Sequence, residues 1–217
     1  MAGLVFHIMN RSAKRGPLLE TPDDYEAFID TVREAQTQRP LRLLDFCAMS
    51  THFHMVAWPE ADRDLPRFMH WLTTTFSLRW RKDRKTVGEG AVFQSRYKAV
   101  AVQQDDHFLQ VCRYVERNPV RAGLVARVED WRWGGPALRW SGRLHFDPWP
   151  VAPPARWLDY VNSAQTQTEL DAMRRAVNRS CPIGEEVWQR EVAATLGITR
   201  AIRRRGRPPA RTCGQPG

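Results

Sequence analysis

Two histidines one residue apart, His52 and His54, stand in the otherwise apolar run MSTHFHMVAWP. If this run is a strand, side chains alternate between faces, and residues i and i+2 share a face with Cβ atoms roughly 6 to 7 Å apart. Both imidazoles can then reach one metal ion. The alternative is one hydrogen-bonded core histidine beside one surface histidine. A second constellation lies in DDHFLQVCRYVERNPVRAGLV, where Tyr114 and Asn118 fall one helical turn apart at the margin of an apolar face formed by Phe108, Val111, Cys112 and Val115. A tyrosine at that margin is ordinarily a core-edge residue with its hydroxyl in water. His107, nearly two turns from Tyr114 on the same flank, reads as structural or ligand-contacting.

The elements that must position these groups follow from periodicity. GLVFHIM reads as a first strand. TPDDYEAFIDTVREA reads as a helix, with Thr21 as N-cap, Pro22 at the first position and Tyr25, Phe28, Ile29 and Val32 on its buried face. LRLLDFCAM and HFHMVAW read as two strands joined at Ser50-Thr51, followed by a helix from about Asp62 to Arg84. AVFQSRYKAVAV restores strand alternation, with Gln94, Arg96 and Lys98 on one face. The order strand, helix, strand, strand, helix, strand is that of an α+β, ferredoxin-like split βαβ fold with an antiparallel sheet. A third helix runs from Asp105-Asp106 to the brake at Pro119.

The expected organisation is a main domain over 1–144, a proline-rich linker over 145–155, a small helical C-terminal extension over 156–199 and an arginine-rich tail over 200–217. The tail carries Arg205-Gly206-Arg207-Pro208, which resembles the core of an AT-hook; a generic basic tail is the alternative. Because no acid balances its arginines, the tail is expected to be disordered when free.

A formal charge of +9 on 217 residues makes a polyanion the natural partner, nucleic acid first among them. Cys47, Cys112, Cys181 and Cys213 have neither C-x-x-C nor zinc-finger spacing, so reduced thiols in a cytoplasm are expected. MAGLVFHIMNR lacks the basic n-region of a signal peptide, and no run of about 18 apolar residues exists to span a membrane.

Three segments taken together, MSTHFHMVAWP, AVFQSRYKAVAVQQDDHF and RYVERNPVRAGLV, resemble the single-tyrosine HUH transposases, most closely the REP-associated tyrosine transposases. His52, Phe53 and His54 match the family's His-hydrophobic-His. Ser50 and Thr51 depart from the usual Pro-Asn before it, which alters the turn and not the ligands. Tyr114 takes the place of the nucleophilic tyrosine, and Asn118-Pro119, Arg121, Ala122 and Gly123 fit the Asn-Pro-x-Arg-Ala-Gly signature after it.

The resemblance implies the fold already read from the pattern, and a nicking and joining enzyme that acts on single-stranded, hairpin-forming palindromic repeats. Tyr114 would attack a phosphodiester, giving a 5′-phosphotyrosine and a free 3′-hydroxyl. A divalent ion, Mg²⁺ or Mn²⁺, would be held by His52 and His54, with Asn118 as third ligand. Arg11, Arg96, Lys98, Arg121, Arg205 and Arg207 would contact DNA, each having a solvated surface charge as its alternative. A bacterial cytoplasm, association with the nucleoid and a monomeric state complete the expectation. Two competing readings are a DNA-binding regulator that has kept the fold and lost catalysis, and an RNA-binding ferredoxin-like domain. The latter lacks the Lys/Arg-Gly-Phe-type aromatic motif on its strands.

Overall fold

The computed structural model of the protein describes residues 2–13 and 16–202. Arg205, Arg207 and the tail beyond Ile202 lie outside the described residues. Four strands, β1 (Val5–Arg11), β2 (Arg42–Ala48), β3 (His52–Trp58) and β4 (Lys98–Val102), form one sheet in the order β2-β3-β1-β4, with every pair antiparallel. Helices α1 (Pro22–Gln38) and α2 (Asp64–Asp83) supply the crossovers, which is the ferredoxin-like arrangement expected from the sequence. Helix α1 starts where its capping chemistry dictates. The Thr21 hydroxyl accepts from the Asp24 backbone N–H at 3.3 Å, and the Asp24 carboxylate accepts from the Thr21 N–H at 3.1 Å.

Alternation along the strands divides the interior in two. Phe6 and Ile8 of β1 and Phe53 and Met55 of β3 pack against Phe28 of α1 and Phe68 of α2. The opposite face, with Val5, Val56 and Val100, is covered by α3 (Asp106–Glu116) through Phe108, Val111 and Val115. His52 and His54 share that second face with Val56.

The sequence places one continuous strand over 91–102, whereas the ladder begins only at Lys98. Val92 and Phe93 drop their side chains into the α1/α2 core, so the chain leaves the ladder and meets the end of β1 at the isolated Ser12–Phe93 bridge, where the Gln94 N–H donates to the Arg11 carbonyl at 2.9 Å. Gln94 and Arg96 therefore do not share a strand face with Lys98. The third helix also breaks at Arg117, and a single turn, α4 (Asn118–Arg121), follows. Pro119 has no N–H to give the Val115 carbonyl, and the Asn118 amide donates to that oxygen instead, at 3.3 Å.

A 3₁₀ turn (Val128–Asp130) and α5 (Gly135–Trp140) lead to the 145–155 segment, which is pinned along β2. The Asp147 N–H donates to the Leu43 carbonyl at 2.8 Å, and the Trp149 indole donates to the Leu44 carbonyl at 2.7 Å. Helices α6 (Trp157–Asn162), α7 (Gln167–Arg179), α8 (Glu186–Thr195) and α9 (Thr199–Ile202) follow. Between α7 and α8, Ile183 exchanges backbone hydrogen bonds of 2.8 Å with Ala101 and Gln103, covering the exposed edge of β4.

Beneath α3 lies a buried charged trio joining three elements. Arg139 of α5 donates to Glu116 at 2.9 Å and to Asp45 of β2 at 3.1 Å, and the Trp157 indole donates to the other Glu116 oxygen at 2.7 Å. Burial, then the charge of Glu116, pushes the Asp45 carboxyl well above the usual carboxylate range, and burial raises Glu116 too. Both carboxyls are thereby biased toward the protonated form under a single guanidinium. Gly135 is needed here, because a Cβ at that position would lie 2.1 Å from an Asp45 carboxylate oxygen.

Candidate active site

β3 brings its two histidines to the sheet face beneath α3. The rings of His52 and His54 have centroids 5.0 Å apart and stand nearly perpendicular, at 86°. Each ring is held through its Nδ1. That of His52 lies 3.0 Å from the Thr51 hydroxyl, and that of His54 lies 2.9 Å from Nε2 of His7 on β1. Neither Nε2 of this pair has a hydrogen-bond partner among the described residues.

Burial pushes the His52 imidazole down to about 4, with Arg11 and Arg121 adding to the effect. Burial also drives His54 well below its ordinary range, helped by His7, His52 and Arg121. Both rings are therefore neutral at pH 7, the state in which imidazole binds a metal.

Tyr114 reaches the same place from α3. Its ring stands edge-on to His54 at 5.8 Å and to His7 at 6.0 Å, and its hydroxyl has no hydrogen-bond partner among the described residues. A cleft of about 350 Å³ opens over it, walled by Met9, Arg11, His52 and Tyr114 and closed by Arg174 and Asn178 of α7. The cleft thus combines a free phenol, the neutral His52 imidazole and two arginines, with His54 buried behind His52, a set suited to binding a phosphodiester and attacking its phosphorus.

The Asn118 side chain, expected from sequence as a third metal ligand, is hydrogen-bonded around the helix break, with one acceptor position of its oxygen in use. Its amide oxygen accepts from Arg121 at 2.7 Å, and its amide nitrogen donates to the Tyr114 and Val115 carbonyls at 3.1 and 3.3 Å. Among the described residues no third His, Cys, Asp or Glu converges with His52 and His54 to complete a metal cluster.

Arg121 is likewise no solvated charge: its guanidinium carbon lies 4.2 Å from the Tyr114 ring centroid, and it donates to the Tyr114 carbonyl at 3.2 Å. Lys98 stands opposite Met9 in the β1–β4 ladder, on the face that carries His54. Arg96 lines a separate groove between α2 and the 91–97 segment, together with Arg81 and Tyr97. The His107 ring bonds Asp105, the N-cap of α3, at 2.8 Å. Sequence reasoning missed His7, Arg174 and Asn178. His7 carried a signal, being a polar residue inside the apolar strand VFHIM, but nothing local disclosed its partner.

The family described as "Transposase IS200 like" matches residues 1–118. The chain belongs to that transposase family. The matched span contains His7, His52, His54 and Tyr114 and ends at Asn118, so α7, which closes the cleft, lies beyond it. This transposase is 27% identical over 135 residues to the REP-associated tyrosine transposase of Escherichia coli (strain K12), covering 59% of this chain and 73% of the relative. In fold it is similar to a REP-associated tyrosine transposase solved bound to a REP hairpin, with a TM-score of 0.54 and 18% identity, covering 71% of this chain and 88% of that one. Among the described residues of this transposase, no helix is long and apolar enough to cross a membrane.

Proposed function

We propose that this transposase nicks and rejoins single-stranded DNA at hairpin-forming, REP-like repeats, using Tyr114 as nucleophile. The observation that carries this reading is the Tyr114 phenol, without a hydrogen-bond partner among the described residues, at the mouth of a cleft shared with His52 and Arg174. In cleavage, the Tyr114 oxygen bonds to phosphorus as the P–O3′ bond breaks. The phenol proton passes to solvent, and the departing 3′-oxygen takes up a proton. The product is a 5′-phosphotyrosine and a 3′-hydroxyl, and attack by a second 3′-hydroxyl reverses the step. No water or nucleotide is consumed.

His52 and His54 offer two neutral donors and fit an ion that draws its remaining ligands from phosphate oxygens and water. A bound Mg²⁺ or Mn²⁺ would withdraw charge from the scissile phosphate. Arg11 and Arg174 flank the same cleft and neutralise the backbone, while Arg121 holds Tyr114 in place. The hairpin substrate class is supported by the hairpin-bound relative, and the polyanion preference by the net charge of +9. In this reading residues 1–144 form the catalytic domain and 156–199 a helical extension that contributes one wall of the cleft. The 200–217 tail is an affinity element, and the enzyme works as a monomer at the nucleoid of a bacterial cytoplasm.

The test incubates the full chain with a single-stranded REP-like hairpin oligonucleotide in Mg²⁺, Mn²⁺ or EDTA. A denaturation-stable protein–DNA adduct, mapped to Tyr114 and lost in EDTA, is expected. Tyr114→Phe should bind the hairpin within about twofold of native affinity and form no adduct. Undiminished cleavage by Tyr114→Phe ends the nucleophile assignment, and tight hairpin binding with no adduct under any condition makes the chain a catalytically silent regulator.

A further inference from the structure

His7 is a histidine with no role in the chemistry above, yet it is the most closely engaged neighbour of His54. It sits in the middle of β1, opposite Val56 of β3 and Val100 of β4, and only 1% of it is exposed. Its Nε2 lies 2.9 Å from His54 Nδ1, and the two rings are stacked, with centroids 5.0 Å apart and planes 19° from parallel. Its own Nδ1 is buried without a partner.

A neutral imidazole has one N–H and one lone pair, so a bond between two such rings carries a single proton and has two arrangements. If His7 donates from Nε2, the proton of His54 must sit on its Nε2, which then has no lone pair for a metal. If His54 donates from Nδ1, its Nε2 lone pair is free, and the proton of His7 moves to the buried Nδ1. Only the second arrangement lets His54 serve as a ligand.

We infer that His7 is a positioning residue of the site, accepting from Nδ1 of His54 and so leaving the His54 Nε2 lone pair free for an ion shared with the neighbouring His52 ring. The inference rests on the proposed metal-binding role of His54. The acceptor behind a metal-bound histidine is ordinarily a carboxylate, a carbonyl or water. A neutral ring in that place fixes the tautomer without adding negative charge next to a phosphodiester. It also gives Tyr114 an aromatic edge to rest on, since the tyrosine ring stands over both imidazoles at 5.8 and 6.0 Å.

The experiment uses the full-length protein and two readouts other than turnover. Mn²⁺ affinity is measured from the free-ion EPR signal in native protein, His54→Ala, His7→Phe and His7→Gln. Long-range ¹H–¹⁵N spectra of histidine-labelled protein report which ring nitrogens carry protons, without metal and with diamagnetic Mg²⁺. His7→Phe, which keeps a ring and loses the acceptor, should bind Mn²⁺ ten- to hundredfold more weakly. His7→Gln, whose amide oxygen can accept, should recover most of that loss. With Mg²⁺ the native spectrum should show His54 protonated on Nδ1 and His7 protonated on Nδ1.

His7 staying protonated on Nε2 in the Mg²⁺-loaded native protein, or native Mn²⁺ affinity in His7→Phe, overturns the inference. Should His7→Phe fail to fold, the native spectrum and His7→Gln decide the matter. His54→Ala with native Mn²⁺ affinity would sink the metal reading itself, and His7→Phe with native affinity beside a weakened His54→Ala would sink only the role of His7.

Discussion

The guanidinium of Arg121 sits 4.2 Å from the ring centroid of Tyr114, and the same group donates to the Tyr114 carbonyl and to the Asn118 amide oxygen. One arginine from the short α4 turn therefore fixes the Tyr114 ring, its backbone and the helix break that follows it.

Arg121→Ala removes a cation–π contact and several hydrogen bonds from a half-buried site. The expected cost is about 1 to 3 kcal/mol of folding stability, read from urea denaturation. Single-turnover cleavage should fall by at least about tenfold, because Tyr114 is no longer held in one orientation. Arg121→Lys should restore part of the stability and little of the rate, since an ammonium cannot reach both oxygens in the plane of a guanidinium fork. A native cleavage rate in Arg121→Ala would show that Tyr114 is positioned without it.

The buried carboxyl pair predicts how stability depends on pH. Asp45 titrates well above its ordinary 3.8 in the folded state, so between pH 3.8 and that raised value the folded protein retains a proton the unfolded chain has released. Folding is therefore penalised progressively as pH rises from about 4 through the raised value, and not below. Asp45→Asn removes the penalty. Its stability relative to native should be near zero at pH 4 and rise to roughly 1 to 3 kcal/mol in its favour at pH 8. Arg139→Met should act the opposite way, costing about 3 to 5 kcal/mol at pH 8 because two buried carboxyls lose the guanidinium that pairs with both. A difference between Asp45→Asn and native that does not change with pH would mean Asp45 is not biased toward its protonated form.

Deleting residues 200–217 removes six arginines. If most of them contact phosphates, the slope of log K against log salt for hairpin binding should become shallower by roughly 0.7 to 0.9 for each lost contact. Single-turnover cleavage at saturating DNA should hold its native value, since the proposed chemistry is carried by Tyr114, His52 and His54 and not by the tail. An unchanged salt slope would remove the tail from the DNA interface, and faster cleavage would make it an inhibitory cover.

Much of the architecture was written in local pattern. The Thr21–Asp24 cap, the i, i+3, i+4, i+7 face of α1 and the period-2 alternation of β1 to β3 are consequences of backbone geometry within a few residues, and they led directly to the ferredoxin-like order. The sharing of one face by His52 and His54 is of the same kind, because the pleat alone puts i and i+2 together. Tertiary structure alone decided how those groups are used. Strand register set His7 behind His54 across 47 positions, and no periodicity within either strand encodes which residues of two strands lie opposite. Core packing pulled Val92 and Phe93 out of the ladder and left Arg96 in a groove away from the cleft. The break at Pro119 turned Asn118 toward Arg121, and the docking of α7 delivered Arg174 to Tyr114 from sixty residues downstream. Such long-range placements are set by which apolar faces bury one another, a property of the whole chain and of no single segment.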